Sequence, residues 1–203
     1  MNDSDENFYK CGTPMSKRHN ERCKECKTRV FQLLCGLFGE VKREHNLGIS
    51  SGLDSFEHST NYAHLSNILH MLQEYRGYNN FVRRRRMTNV DFFVPAHGLI
   101  VEFDESQHFT KPRQIALDNY PADLKLGFNR KQWVERCVHL HKTDNDPPYR
   151  DETRAWYDTL KDFAPSILDL KPTVRLYSKD CVWCELDLGN SGNIAEFKRR
   201  LGV

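Results

Sequence analysis

The chain has 203 residues, 29% of them charged and 38% hydrophobic, which suits one soluble globular domain with a small appendage and excludes a disordered chain. No apolar run approaches the roughly 18 residues that a membrane span needs, and the acidic start MNDSDENFYK lacks the form of a signal peptide. A cytoplasmic, reducing location is expected, so the seven cysteines read as thiols or metal ligands, and a net charge of +2 requires any nucleic-acid surface to be local.

Residues 1–27 are polar and hold three of the seven cysteines. The run TRVFQLLCGLF, residues 28–38, reads as a helix ending near Gly39. Residues 41–60 read as irregular, with Gly48, Ser50, Ser51 and Gly52 as loop signals. Leu65, Ile68, Leu69 and Leu72 recur at helical spacing over 62–75, and Gly77 is the stop. Three short strands are expected next, NFVRRRR, VDFFV and LIVEF. A long connection, 110–148, should contain helices near 114–117 and 130–140. DETRAWYDTLKDF, residues 151–163, is a helix with an acidic first turn and Trp156 in the core. TVRLY and CVWCEL read as further strands, and IAEFKRR as a terminal helix. The order predicts an α/β fold with a mixed sheet and helices packed on it.

Near the N-terminus, KCGTPMSKRHNERCKECK offers Cys11, His19, Cys23 and Cys26. A C-x2-C pair opening a helix, with a Cys-Gly upstream, fits a small structural zinc clip, because thiolates gain from exposed N–H groups and from the metal. Tetrahedral zinc needs four ligands. His19 is the natural fourth, with Cys35 and the Cys181/Cys184 pair as rivals, and a surface C-x2-C without metal is the plain alternative.

The segment VDFFVPAHGLIVEFDESQHF, residues 90–109, has the form of a β-hairpin turning at PAHG. Asp91 lies on its first strand, and Glu102 and Asp104, two apart, share a face of its second. Buried carboxylates need a cation. Three together suit Mg²⁺ or Mn²⁺, which polarises a phosphodiester and acidifies a water. Taken singly, Asp91 could cap the turn and Glu102 could pair with an arginine of RRRR.

The element order αβββαβ, with an Asp on the second strand and Glu-x-acid on the third, resembles the PD-(D/E)XK nuclease superfamily, the restriction-endonuclease-like fold. More narrowly, the hairpin resembles the signature vDF…lvIElDGsqH of the uncharacterised relatives of the very-short-patch-repair endonuclease, and YRDETRAWYDTLKDF followed by PTVRLY resembles their next helix and strand. The resemblance covers roughly residues 60–180. With the cysteine cluster marking a zinc-binding segment and first helix at 1–40, it implies a nuclease-like domain at 41–203 with an insertion at about 110–148. It implies an Mg²⁺-dependent DNA endonuclease for repair, restriction or mobile-element defence, with Asp91 and Glu102 as metal ligands and Asp104 where the superfamily carries Lys. Gln107 and His108 match the closing "qH" and would orient the phosphate, the leaving oxygen or the water. Glu105 replaces the family Gly. With no Lys in the usual slot, water activation would fall to the metal, to Gln107 or His108, or to a cation from elsewhere, with Lys111, Arg113 and Arg150 as candidates. Glu57 and Glu74 are the available first-helix acids.

Arg83, Arg84, Arg85 and Arg86 just before Asp91 fit phosphate contacts, which set affinity rather than sequence choice. Three further outcomes stay open: an inactive zinc-containing nucleic-acid-binding module of the same fold, an interaction protein whose acids pair with arginines, and an RNA substrate. A homodimer is compatible with all of them.

Overall fold

The computed structural model describes residues 23–203. A four-stranded mixed sheet lies between two helical layers. Its strands are β1 (Lys42–His45), β2 (Val90–Val94), β3 (Leu99–Asp104) and β4 (Lys171–Tyr177), in the order 1-2-3-4. β1, β2 and β3 pair antiparallel, and β4 joins β3 in parallel. A parallel neighbour needs a long crossover. It is supplied by α3 (Lys111–Asp118), α4 (Arg130–Leu140) and α5 (Arg150–Leu168).

The hairpin turn is a short 3₁₀ turn, Pro95–His97, closed by Gly98 at φ 56°, a conformation open to glycine at little cost. Residue parity divides β3 between two cores. Leu99, Val101 and Phe103 join Phe92, Val94, Val174 and Leu176 under α1 (Lys24–Phe38) and α6 (Ser191–Leu201). Val30, Leu33 and Leu34 carry the buried stripe of α1 at i, i+3, i+4. On the other face Ile100 packs with Leu160, Phe163 and Ala164 of α5 and with Leu65, Ile68 and Leu72 of α2 (Tyr62–Arg76). Trp156 is fully buried there, its indole N–H donating to the Ser51 carbonyl at 2.9 Å. All six residues of β3 are buried, as befits a strand covered on both faces.

The helices near 28–38, 62–75, 130–140 and 151–163 and the strands of the hairpin and of TVRLY stand where the sequence pattern puts them. Two strand expectations fail. NFVRRRR is a loop with an isolated Ser50–Arg86 bridge, and the first strand is KREH, inside the stretch read as irregular, so α2 stands between the first two strands and the expected run of three consecutive strands is broken. Four consecutive arginines cannot alternate one face into a core, whereas KREH is an exposed edge strand and shows no apolar alternation. CVWCEL is a 3₁₀ turn, Trp183–Glu185, because Cys181, Trp183 and Leu186 are anchored into the α1-side core.

The open edge of β4 is covered by the loop before α4. Gly127 N–H donates to the Thr173 carbonyl at 3.2 Å, and a Cβ there would meet that oxygen at 2.7 Å and the Pro172 carbonyl at 2.8 Å. Gly127→Ala is therefore expected to destabilise the fold by about 1–3 kcal/mol, read as a lower urea midpoint at unchanged slope.

Candidate active site

β3 and β4 pair Glu102 with Arg175 and Asp104 with Tyr177, and α5 lies over that face. Asp158, Lys161 and Asp162 fall at i, i+3, i+4 on α5, and all three are buried against the sheet. A charged helix stripe thus meets a charged strand row inside the protein. Isolated, such groups would each cost several kcal/mol to bury; here each has partners.

Arg175 is the hub. Its guanidinium, fully buried, reaches Asp104 Oδ1 at 2.8 Å, Asp162 Oδ1 at 2.7 Å and the Asp158 carbonyl at 3.1 Å. Arg113 donates to Asp162 Oδ2 at 2.6 Å and to the Tyr120 hydroxyl, which donates to the same carboxylate at 2.8 Å. The Trp133 indole N–H takes the remaining oxygen of Asp104 at 2.9 Å. His108 Nδ1 lies 2.8 Å from Asp158 and 3.7 Å from Asp104. Burial pulls the His108 imidazole down, but Asp158 and Asp104 outweigh it and raise its pKa above the ordinary histidine value of 6.5. Burial also works against the Asp158 charge, yet His108 and Arg175 hold that carboxylate ionised well below its usual range.

Beside this hub the β2–β3 ladder opens. Its pairing runs from Val94–Leu99 to Phe92–Val101. Beyond that point Asp91 N–H donates to Glu102 Oε1 at 2.9 Å, and Phe103 N–H donates to Asp91 Oδ2 at 2.8 Å. Each carboxylate takes the place of a backbone acceptor, which holds the two acids side by side. The outer oxygens carry ammoniums: Lys161 Nζ lies 2.6 Å from Glu102 Oε2, and Lys27 Nζ lies 2.5 Å from Asp91 Oδ1. Burial pushes the Glu102 carboxyl up to about 7, further than Lys161 pulls it back, with Asp91 adding to the rise. Lys161 is pulled down by burial, but Glu102, Asp158 and Asp91 outweigh this, so it stays protonated across the neutral range.

Asp91 and Glu102 therefore adjoin, while Asp104 turns from them into the Arg175 hub with both oxygens occupied. Among the described residues, the metal-capable carboxylate group that includes Asp104 joins it to His108 and Asp158. Gln107 is exposed, its amide donating to Glu105 at 2.9 Å. Of the three cations offered as stand-ins, Lys111 bonds Gln114, Arg113 serves the hub and Arg150 pairs with Asp144 at the surface. The cation at Glu102 is Lys161. Glu57 and Glu74 are exposed on the surface, Glu74 beside His70. The third acid near the pair is instead Glu44 of β1, which shares the Lys27 ammonium with Asp91 at 3.0 Å.

Lys161 was legible only as part of DTLKD, a pattern that usually marks a solvated helix face; the clue was its setting between Leu160 and Phe163. Arg175, inside the apolar strand TVRLY, was the other available signal.

Arg83, Arg84, Arg85 and Arg86 are all exposed. Arg83 lies over the Tyr149 ring at 5.3 Å, and Arg84–Arg86 pair with no carboxylate among the described residues. Arg84 and Arg86 line a cleft of about 360 Å³ with Asn46, Asn89 and Glu44, so the basic loop borders the acid next to Asp91. A second metal-capable group lies across the sheet at the start of α1. Cys23 and Cys26 meet Cys184, their sulfurs within 4.8 Å of one another. Cys11 and His19 lie outside the described residues. Among the described residues no helix is long and apolar enough to cross a membrane.

Comparison of the chain with protein-family models, curated proteins and solved structures returns no match.

Arg175→Met would leave Asp104, Asp158 and Asp162 short of their shared cation, and a loss of about 3–5 kcal/mol of unfolding free energy is expected. His108 contributes stability that is complete below pH 6.5 and is lost as pH rises through its higher folded-state value. As pH rises from 6.5 through that raised value, His108→Gln should therefore lose less stability than wild type in urea titrations.

Proposed function

We propose that the chain is a metal-dependent nuclease that hydrolyses phosphodiester bonds in DNA, with Asp91, Glu102 and Lys161 at its centre. The observation that carries this reading is the opened ladder, which sets two strand carboxylates side by side with an ammonium 2.6 Å from one of them. The strand order and the hairpin's resemblance to the restriction-endonuclease-like signature support it.

The donor set suits Mg²⁺ or Mn²⁺. Asp91 and Glu102 offer hard carboxylate oxygens, each with lone-pair capacity beyond the one N–H and one ammonium it now accepts. Lys27, whose side chain is 32% exposed, has room to withdraw from Asp91 when a dication competes. Glu44, beside the same ammonium, is the added acid within reach. When bound, such an ion polarises the phosphodiester and acidifies a water.

The remaining work falls to side chains of this chain. Lys161 keeps its proton, so it acts as a fixed cation against the negative charge that builds on the phosphoryl oxygens during attack, not as a base. Water adds its oxygen to phosphorus and gives up a proton to solvent, as the bond to the leaving oxygen breaks and that oxygen takes a proton from solvent. Glu102 must be ionised for ligation, so affinity for Mg²⁺ or Mn²⁺ should rise with pH through about 7, read by metal titration of the wild type. Arg84 and Arg86 would hold the phosphate backbone on the cleft bordering Glu44.

A second reading is favoured by one observation. Lys27 and Lys161 already balance Asp91 and Glu102 without a metal, as they would in an inactive nucleic-acid-binding module of this fold. Incubating wild type, Glu102→Gln and Lys161→Met with supercoiled and linear DNA in Mg²⁺, Mn²⁺ and EDTA separates the two. Metal-dependent cleavage by wild type is expected, with a fall of roughly 10²–10³ or more in each variant. DNA retained by uncut wild type in a gel shift would install the second reading. Replacing Arg84 and Arg86 by Ala should weaken DNA binding and reduce the salt slope by about 2.

A further inference from the structure

We propose that Cys23, Cys26 and Cys184 bind one tetrahedral soft metal ion, zinc by its chemistry, which staples the first turn of α1 to the segment after β4. Cys184 thereby joins the ligand set that the N-terminal sequence alone suggested. The proposal stands apart from the nuclease reading, since it uses none of the hairpin residues.

Three sulfurs from two distant chain segments lie within 4.8 Å of one another. A disulfide would join two of them and strand the third, whereas a metal uses all three. Cys26 is 2% exposed, so the centre of the cluster is shielded, while Cys23 and Cys184 are half-buried. Cys23 stands at the N-cap of α1, where its side chain makes no capping hydrogen bond and so is not committed to closing the helix. The backbone N–H of Cys184 donates to the Cys26 sulfur, which joins the two chain segments at the cluster. Thiolate donors select zinc over hard cations, and structural zinc takes four ligands. The three cysteines supply three of them.

The 3₁₀ turn that presents Cys184 is itself fixed. Trp183 is fully buried, and its indole N–H donates to the Tyr177 carbonyl, at the end of β4, at 3.0 Å. α1 packs on this turn. Lys27 follows Cys26 directly and reaches Asp91 at 2.5 Å. An ion at the three sulfurs would therefore set the helix turn from which Lys27 extends.

The test uses the full chain. Wild type should carry one zinc per molecule by elemental analysis, and cobalt substituted for it should show a sulfur charge-transfer band. Cys184→Ser should lower zinc affinity at least roughly ten-fold in competition with a chelating dye, and Cys35→Ser, outside the cluster, should match wild type. Because Cys184→Ser could fail to fold, alkylation of the wild type gives a second readout by mass spectrometry. Zinc should protect Cys23, Cys26 and Cys184 together, and chelation should expose all three. Hydrogen exchange in residues 24–38 should accelerate on chelation, ahead of β3. A Cys184 that alkylates equally fast with and without zinc, or a Cys184→Ser protein with wild-type zinc affinity, would overturn the assignment.

Discussion

The buried guanidinium of Arg175 is the constraint on which the interior of this protein depends. Asp104 from β3 and Asp158 and Asp162 from α5 converge on a single cation from β4, with Arg113, Trp133 and His108 completing the hydrogen bonds. A core that holds this many charges is stable only when every one is compensated, so the register of β4 on β3 and the rotation of α5 on the sheet are specified together. A slip of β4 by one residue would turn Arg175 to the opposite face and deprive three buried carboxylates of the cation they share. Apolar packing alone would tolerate such errors far better.

The same network frees the neighbouring acids for other work. Because Arg175 and Trp133 occupy Asp104, the pair Asp91 and Glu102 stands apart from it, tied to one another through backbone N–H groups and balanced by Lys27 and Lys161. Lys161 belongs to the helix stripe that serves the hub, so the charged core and the candidate site share one structural element. Glu102 is left with a carboxyl near neutrality, poised between burial and its ammonium. Groups of this kind, perturbed and partnered at one spot, are where chemistry is usually found, and ion-pair networks of purely structural purpose produce them too. The opened ladder is what distinguishes this place.

α1 ties the two halves of the molecule together. One face of it fills the core with Val30, Leu33 and Leu34; its first turn presents Cys23 and Cys26 to Cys184 and sends Lys27 to Asp91. The sheet, the cysteine cluster and the carboxylate pair thus meet along a few residues near its start.

Local pattern in the sequence determined much of this protein. Apolar residues at helical spacing in 62–75 and 130–140 and the apolar hairpin around PAHG specify their elements through burial of one face or of two, and such periodicity survives into the fold. Asp91 and Glu102 were legible because carboxylates interrupt strands otherwise made for burial, and Cys23 and Cys26 because their spacing opens a helix. What the tertiary structure decided is partnership. Asp104 shares a face with Glu102 by strand alternation, yet Arg175, placed beside it by the β3–β4 register, claims it. Lys161 and Cys184 lie 59 residues from Glu102 and 158 from Cys26, and no local pattern links them. KREH has no apolar alternation because it is an edge strand, so its pairing, and the place of Glu44 beside Asp91, is set by the sheet and not by its own residues. Periodicity records which side of an element is dry; which charge meets which depends on how the dry sides are stacked.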